Sequence, residues 1–213
     1  MTSEVLERRP TEHGELVLRR TDGQLELIMN GVFLMSTGNG PSERELVRAT
    51  LTGQPQNILI GGLGAGFSLA EALATPQVIA VTVVESEPDV IAWGHTYFRP
   101  YNQGALDDPR VTVIQAGFGE FAATAPVLSF DAICLDTDNG PDWLARPGNA
   151  ALYTAAGLAR LRTMLRPGGH LAVWAASESL PFADRLATVF GAAEVLRVPV
   201  ARGPDDIVYR AGR

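Results

Sequence analysis

The chain has 213 residues, 46% hydrophobic and 19% charged, with a formal net charge of −7; this length buries one sizeable core and implies one principal domain. Scattered basic residues on an acidic chain argue against a nucleic-acid-coating surface and suit a cationic substrate better, through a weak field effect. The charged beginning, MTSEVLERRP, lacks the apolar centre of a secretory signal, and no run approaches the roughly 20 apolar residues of a membrane span, so cytoplasmic residence without membrane or nucleic-acid partners is expected.

In chain order, GELVLRR and LELIMNGVFLMST are β-rich runs separated by TDGQ, where Asp22-Gly23 is a hairpin turn signal. Residues 1–40 are therefore expected to form a β-hairpin appendage, and residues 41–213 the main domain. PSERELVRATL carries a helix start signal, Ser42 with Glu45 three positions on. From Asn57 onward, NILIGG, VIAVTVVES, RVTVIQA, FDAICLD and GHLAVWAA alternate with segments of helical pattern, which implies a parallel sheet covered on both faces. AEVLRVPV and DIVYRAG follow without a long helix between them and predict an antiparallel edge. The expected fold is α/β, a doubly wound, mostly parallel, Rossmann-like sheet of seven strands with an N-terminal β-hairpin. The single Cys134, in an apolar run, excludes an internal disulfide and a cysteine zinc site; it reads as a packing residue, and no metal is expected.

Candidate ligand-binding residues collect at the ends of these strands. Gly61, Gly62, Gly64 and Gly66 stand between the first strand and its helix, the crossover where open α/β sheets bind ligands. Glycines there admit main-chain N–H groups to a polar or anionic group that a Cβ would hold off. Counted from Gly62 and Gly64, the third position of a dinucleotide fingerprint is Phe67 and the next glycine is Gly66, a spacing that suits S-adenosylmethionine (SAM) better than NAD. Glu85, some 20 residues on, is placed to take the two hydroxyls of a ribose; its bland alternative is a solvated cap. The fourth strand delivers Asp136, Asp138 and Asn139 to the same edge. If extended geometry persists to Asp138, the two aspartates share a side; if the chain turns at Asp136, Asp138 caps the loop instead. Asp138 is the candidate base for an amine nucleophile. Trp143 and Arg146 lie in the following loop, and Tyr153 either lines an acceptor pocket or anchors its helix. Trp93, His95 and Tyr97 read as core rather than adenine-stacking groups, and His13 and His170 as structural or exposed.

GELVLRR, ILIGGLGAG, VVESEPDVIAWGHTYF, ALDDPRVTVIQ, DAICLDTDNGP and LRPGGHLAVWAA fall in the order and spacing of the spermidine synthase family, which this chain resembles from Gly14 to Ala176. The resemblance implies a class I methyltransferase fold, SAM or decarboxylated SAM as cofactor, a small amine as acceptor, and pairing into a homodimer through the N-terminal region. It also implies that Gly117 and Phe118, after the third strand, belong to the cofactor site, since the family's Gly-Asp pair falls on Ala116-Gly117. Asp136 matches a family aspartate, which implies a catalytic role for it as well as a place in the cofactor site. Several positions depart from the family pattern. The aspartate that holds the aminopropyl amine is Gly64 here, the catalytic carboxylate of the D-S-x-D-P loop is Asn139, the hairpin glutamine is Leu34, and the tyrosine before the matching glutamate is Glu43. These departures put polyamine recognition in question and leave the nucleotide pocket in outline; Asn139 cannot serve as a base, though it can hydrogen-bond cofactor or acceptor. Three readings follow: an alkyl transferase resembling spermidine synthase and acting on a small amine, a small-molecule SAM-dependent methyltransferase, and a noncatalytic nucleotide-binding protein.

Overall fold

A computed structural model of the chain describes residues 2–38, 40–144, 146–200 and 203–213. The N-terminal segment is larger than the expected hairpin. β1 (Ser3–Thr11), β2 (Gly14–Thr21), β3 (Gln24–Met29) and β4 (Val32–Ser36) form a four-stranded antiparallel meander in chain order. Asp22-Gly23 turns as expected, with φ of 47° and 86°. The run LELIMNGVFLMST is broken in two by a second turn at Asn30-Gly31, with φ of 51° and 79°, as a two-residue hairpin turn requires. Asn30 locks that turn: its side chain accepts from the Glu15 N–H at 2.9 Å and donates to the His13 carbonyl at 2.6 Å. β1 escaped the sequence reading because SEVLERRPT is mostly exposed and polar, with no apolar alternation to reveal it.

α1 (Pro41–Arg48) begins without the expected capping box. Pro41 occupies the first turn, where its fixed φ and missing N–H cost nothing. Ser42 is thereby inside the helix and buried, and its hydroxyl donates across the fold to Asp206 Oδ2 at 2.6 Å.

The main body alternates as expected: β5 (Asn57–Gly61), α2 (Phe67–Leu73), β6 (Ala80–Glu85), α3 (Pro88–Gly94), α4 (Arg99–Asn102), β7 (Val111–Gln115), α5 (Phe118–Thr124), β8 (Phe130–Leu135), α6 (Ala155–Met164), β9 (Leu165–Ala175), α7 (Leu180–Phe190), β10 (Glu194–Val198) and β11 (Asp206–Gly212). The strands make one seven-stranded sheet in the order β10-β11-β9-β8-β5-β6-β7. β5 pairs in parallel with β6 and β8, and β11 enters antiparallel between β9 and β10, so the last two strands form the expected antiparallel edge.

Strand alternation divides the core. Ile58 and Ile60 face a cluster that holds Leu46, Phe67 and Leu69 together with Leu16, Leu18, Leu25, Leu27 and Met29 of the N-terminal sheet; Leu59 faces Phe118, Leu158 and Phe182 on the other side. The meander thus shares a hydrophobic cluster with the main sheet. Cys134 is fully buried, its thiol pushed up to about 12 by burial, a packing residue. The chain runs from β5 outward to β7, then returns to β8 on the other side of β5. Its direction of winding reverses between β5 and β8, and a crevice opens there beyond the strand ends.

Candidate active site

The glycine turn after β5 divides its labour. Gly62 and Gly64 line a cleft at the switch point, whereas Gly61 and Gly66 do not. A Cβ at Gly61 would lie 2.6 Å from the Phe118 ring, and one at Gly66 would lie 2.6 Å from Asn102 Cβ, so these two glycines serve packing rather than ligand approach. Gly62, at φ +87°, crosses directly over the β8 end: a Cβ there would sit 2.1 Å from the Asp136 carbonyl oxygen. At Gly64 the space is open, with Met35 Cε 3.9 Å away.

Glu85, the last residue of β6, is buried and faces this cleft. Its Oε2 accepts the Leu63 N–H of the glycine turn at 2.9 Å, and its Oε1 accepts the Glu87 N–H at 2.8 Å. Two main-chain donors thus fix the carboxylate at the rim, which excludes the solvated-cap reading. Ala116, Gly117 and Phe118 line the adjoining side, with Phe118 packed beneath Gly61.

β8 ends at Leu135, the Asp136 N–H still donates to the Gly61 carbonyl at 2.8 Å, and the chain bends from Thr137 onward. Asp136 and Asp138 both line the cleft, but they differ in their surroundings. Burial, reinforced by the charges of Asp206, Asp138 and Glu85, pushes the Asp136 carboxyl up to about 7. Asp138 organises the loop that follows. Its Oδ2 accepts from the Tyr153 hydroxyl at 2.7 Å and from Asn149 Nδ2 at 3.0 Å, and its Oδ1 accepts from the Arg146 N–H at 3.4 Å. Asp138 therefore fastens a distant segment rather than capping its own backbone. Tyr153 is buried behind Asp138 and outside the cleft lining, and burial beside that aspartate raises its hydroxyl well above the usual value. Asn139 lines the cleft while its amide donates to the Phe33 carbonyl of β4 at 3.2 Å.

The expected position of Trp143 needs correction: its side chain is 55% exposed and does not line the cleft, because the loop turns its polar Arg146–Asn149 segment inward instead. Trp93 is buried in core, and His95, Tyr97, His13 and His170 lie away from the lining. Sequence reasoning missed Glu87 and Asn149, and weighed Arg146 only as a loop residue. Glu87 is buried and ion-paired with Arg146 inside the cleft; its place two residues beyond Glu85 was an available signal. The larger omission is a wall of Leu16, Leu27, Met29, Leu34 and Met35, contributed by the N-terminal sheet. Near α1, burial and the charge of Asp136 push Glu43 up to about 8. Among the described residues no cluster of three or more potential ligands could hold a metal.

A mostly parallel sheet of this order, with a glycine turn over a cleft rimmed by carboxylates from two further strand ends, defines a class I methyltransferase-like fold. The family model for the spermine/spermidine synthase domain matches residues 45–183, and the chain belongs to that family. Polyamine aminopropyltransferase 1 of Streptomyces coelicolor is 30% identical over 181 residues, 81% of this chain and 33% of the relative. Putrescine N-methyltransferase 2 of Nicotiana tabacum is 31% identical over 162 residues, 73% of this chain and 41% of the relative. The chain thus spans about a third of the length of the aminopropyltransferases it matches. A crystal structure of spermidine synthase in complex with the transition state analogue AdoDATO superposes with a TM-score of 0.82 at 18% identity, covering 98% of this chain and 73% of that one. Spermidine synthase from Thermotoga maritima gives 0.79, also at 18% identity and with 98% and 72% covered.

Proposed function

We propose that this protein is a transferase that binds SAM or decarboxylated SAM and moves an alkyl group to a small amine. The observation that carries the reading is Glu85, held at the cleft rim by a main-chain N–H of the glycine turn. The residues suit an adenosyl sulfonium. Glu85 Oε2 keeps acceptor capacity for a ribose hydroxyl, while Oε1 takes the Glu87 N–H and the Ser86 hydroxyl at 3.3 Å; Gly64 leaves room where a side chain would intrude, and the carboxylates at the strand ends favour a positive charge.

When bound, the cofactor supplies a carbon whose bond to S⁺ breaks, its electron pair passing to sulfur, as the amine nitrogen bonds to that carbon. The chain has two tasks: to hold the reactants in line and to accept the proton that the amine loses. Asn139 has no proton affinity for the second task. Asp136 does, since burial among like charges makes its carboxylate more basic than usual, and we assign it as the base. Asp138, committed to Tyr153 and Asn149, positions the covering loop.

Methyl transfer is the second reading. It is favoured by the bare Gly64, which offers no carboxylate to an aminopropyl ammonium, and by the similarity to putrescine N-methyltransferases. Calorimetry with SAM, decarboxylated SAM and methylthioadenosine tests the cofactor assignment, and binding of none of them overturns it. Product analysis then separates the arms: S-adenosylhomocysteine marks methyl transfer, and methylthioadenosine marks aminopropyl transfer. If the nucleotides bind and no product forms with any amine, the noncatalytic reading replaces both.

Further parts of this reading are cytoplasmic residence, pairing of two copies through the N-terminal sheet, and a division of the chain into residues 1–40 and 41–213. Among the described residues no helix is long and apolar enough to cross a membrane.

A further inference from the structure

The cleft has one charged end and one apolar wall, and that asymmetry specifies the acceptor. Four carboxylates reach the cleft: Glu85, Glu87, Asp136 and Asp138. Three are engaged. Glu85 accepts the amides of Leu63 and Glu87, the Glu87 side chain is ion-paired with Arg146, and Asp138 holds Tyr153 and Asn149. No hydrogen bond from a described residue reaches the Asp136 carboxylate, whose environment is set by burial and neighbouring charges. On the side of the N-terminal sheet, the half-buried Leu34 and Met35, backed by the buried Leu16, Leu27 and Met29, present only carbon and thioether sulfur. Gly64 adds no charge where it meets Met35, and the Asn139 amide is neutral and tied to Phe33. Glu87 is compensated by the Arg146 cation, and the remaining negative charge is gathered at this end, so an ammonium is matched there, near Asp136. A second one, several carbons away, would be stripped of water against this wall without a counter-ion, or would approach the Arg146 guanidinium; both are costly.

Resting on the proposed transfer to an amine, we infer that the acceptor is a monoamine with an apolar body, which lies against Leu34 and Met35 over the buried Leu16, Leu27 and Met29 while its nitrogen faces Asp136. A diamine is discriminated against.

Hexylamine and hexamethylenediamine form a matched pair that differs only in the second amine. Calorimetry on the full chain saturated with methylthioadenosine compares them without needing turnover. Hexylamine is expected to bind at least about tenfold tighter, a difference near 1.4 kcal/mol. Equal or tighter binding of the diamine, or no binding of either amine, overturns the inference while leaving nucleotide binding intact. Failure of methylthioadenosine itself to bind sinks the transferase reading as well. Leu34→Asp then locates the discrimination. It supplies the missing counter-ion and is expected to erase most of the preference with methylthioadenosine affinity unchanged; a preference retained in this variant removes the wall from the account. The wild-type comparison decides the substrate class even if that variant does not fold.

Discussion

The two sides of the cleft are built on different physical terms. On the side of the main sheet, Glu85, Asp136 and Asp138 sit at or just beyond the ends of buried parallel strands, Glu85 fixed by main-chain amides and Asp138 by a hydroxyl and an amide from the covering loop. On the side of the N-terminal meander, contacts are apolar and come from β2 to β4. The difference teaches that, on the proposed reading, one fold can keep its nucleotide site while the second substrate changes. Strand ends specify direction and charge, so they tolerate little change. The meander specifies only shape and polarity, through Leu34 and Met35 over a buried apolar layer.

Substitutions on opposite sides of the cleft should therefore fail differently. The largest effect is expected at Asp136. Asp136→Asn removes the proton acceptor and should lower kcat by about 10²–10⁴-fold, with nucleotide affinity nearly unchanged in calorimetry. In the wild type the carboxylate must be ionised to act. Because its pKa is raised to about 7, kcat should climb with pH up to that value and fall about tenfold per unit below it; a flat profile from pH 5 to 8 would remove Asp136 from the role.

Next comes Tyr153→Phe, which strips a donor from Asp138 at 2.7 Å. Leaving a buried acceptor short of a partner costs about 1–3 kcal/mol. The expected result is a lower unfolding midpoint in urea, together with a kcat reduced by the looser covering loop. On the meander side, Met35→Ala should raise the acceptor KM about fivefold, in keeping with partial loss of one buried side chain, and leave the nucleotide Kd alone. An equal loss of both affinities would erase the distinction between the two sides.

The smallest effect concerns stability. Burial and the charge of Asp136 raise the Glu43 pKa to about 8, so the folded chain holds that proton more tightly than the unfolded one. Its contribution is complete below the ordinary value of 4.5 and is lost as pH rises through about 8. Glu43→Gln should therefore flatten the decline of Tm between these limits by at least about 2–4 °C, the equivalent of 1 kcal/mol, as thermal unfolding at several pH values would show.

Much of the main sheet was legible because its strands are short apolar runs bounded by turn residues, a pattern that follows from being buried on both faces. The carboxylates were legible for a related reason: Glu85 and Asp136 interrupt hydrophobicity at strand ends, where a charge needs a purpose. β1 was not, since an exposed strand needs no apolar alternation. The Asn30-Gly31 turn was readable and was passed over inside an apolar run, a miss that merged β3 with β4. Gly61 and Gly66 looked identical in sequence to Gly62 and Gly64. A Cβ would clash at Gly61, Gly62 and Gly66 alike, and only the folded turn shows that Gly62 and Gly64 are the two that line the cleft. The apolar wall and the Glu87–Arg146 pair depend on segments far apart in the chain, so no local pattern announces them. The alternation along the meander did show an apolar face, but its placement over the cleft is a tertiary fact.

The central claim is that Glu85 grips the ribose of an adenosyl ligand from its fixed place beside the glycine turn. Titrating methylthioadenosine into the wild type and Glu85→Ala tests it most directly. The account predicts clear binding by the wild type and a loss of about 10²-fold in the variant, as expected for two hydrogen bonds to a charged group. Wild-type affinity retained by a folded Glu85→Ala would contradict it.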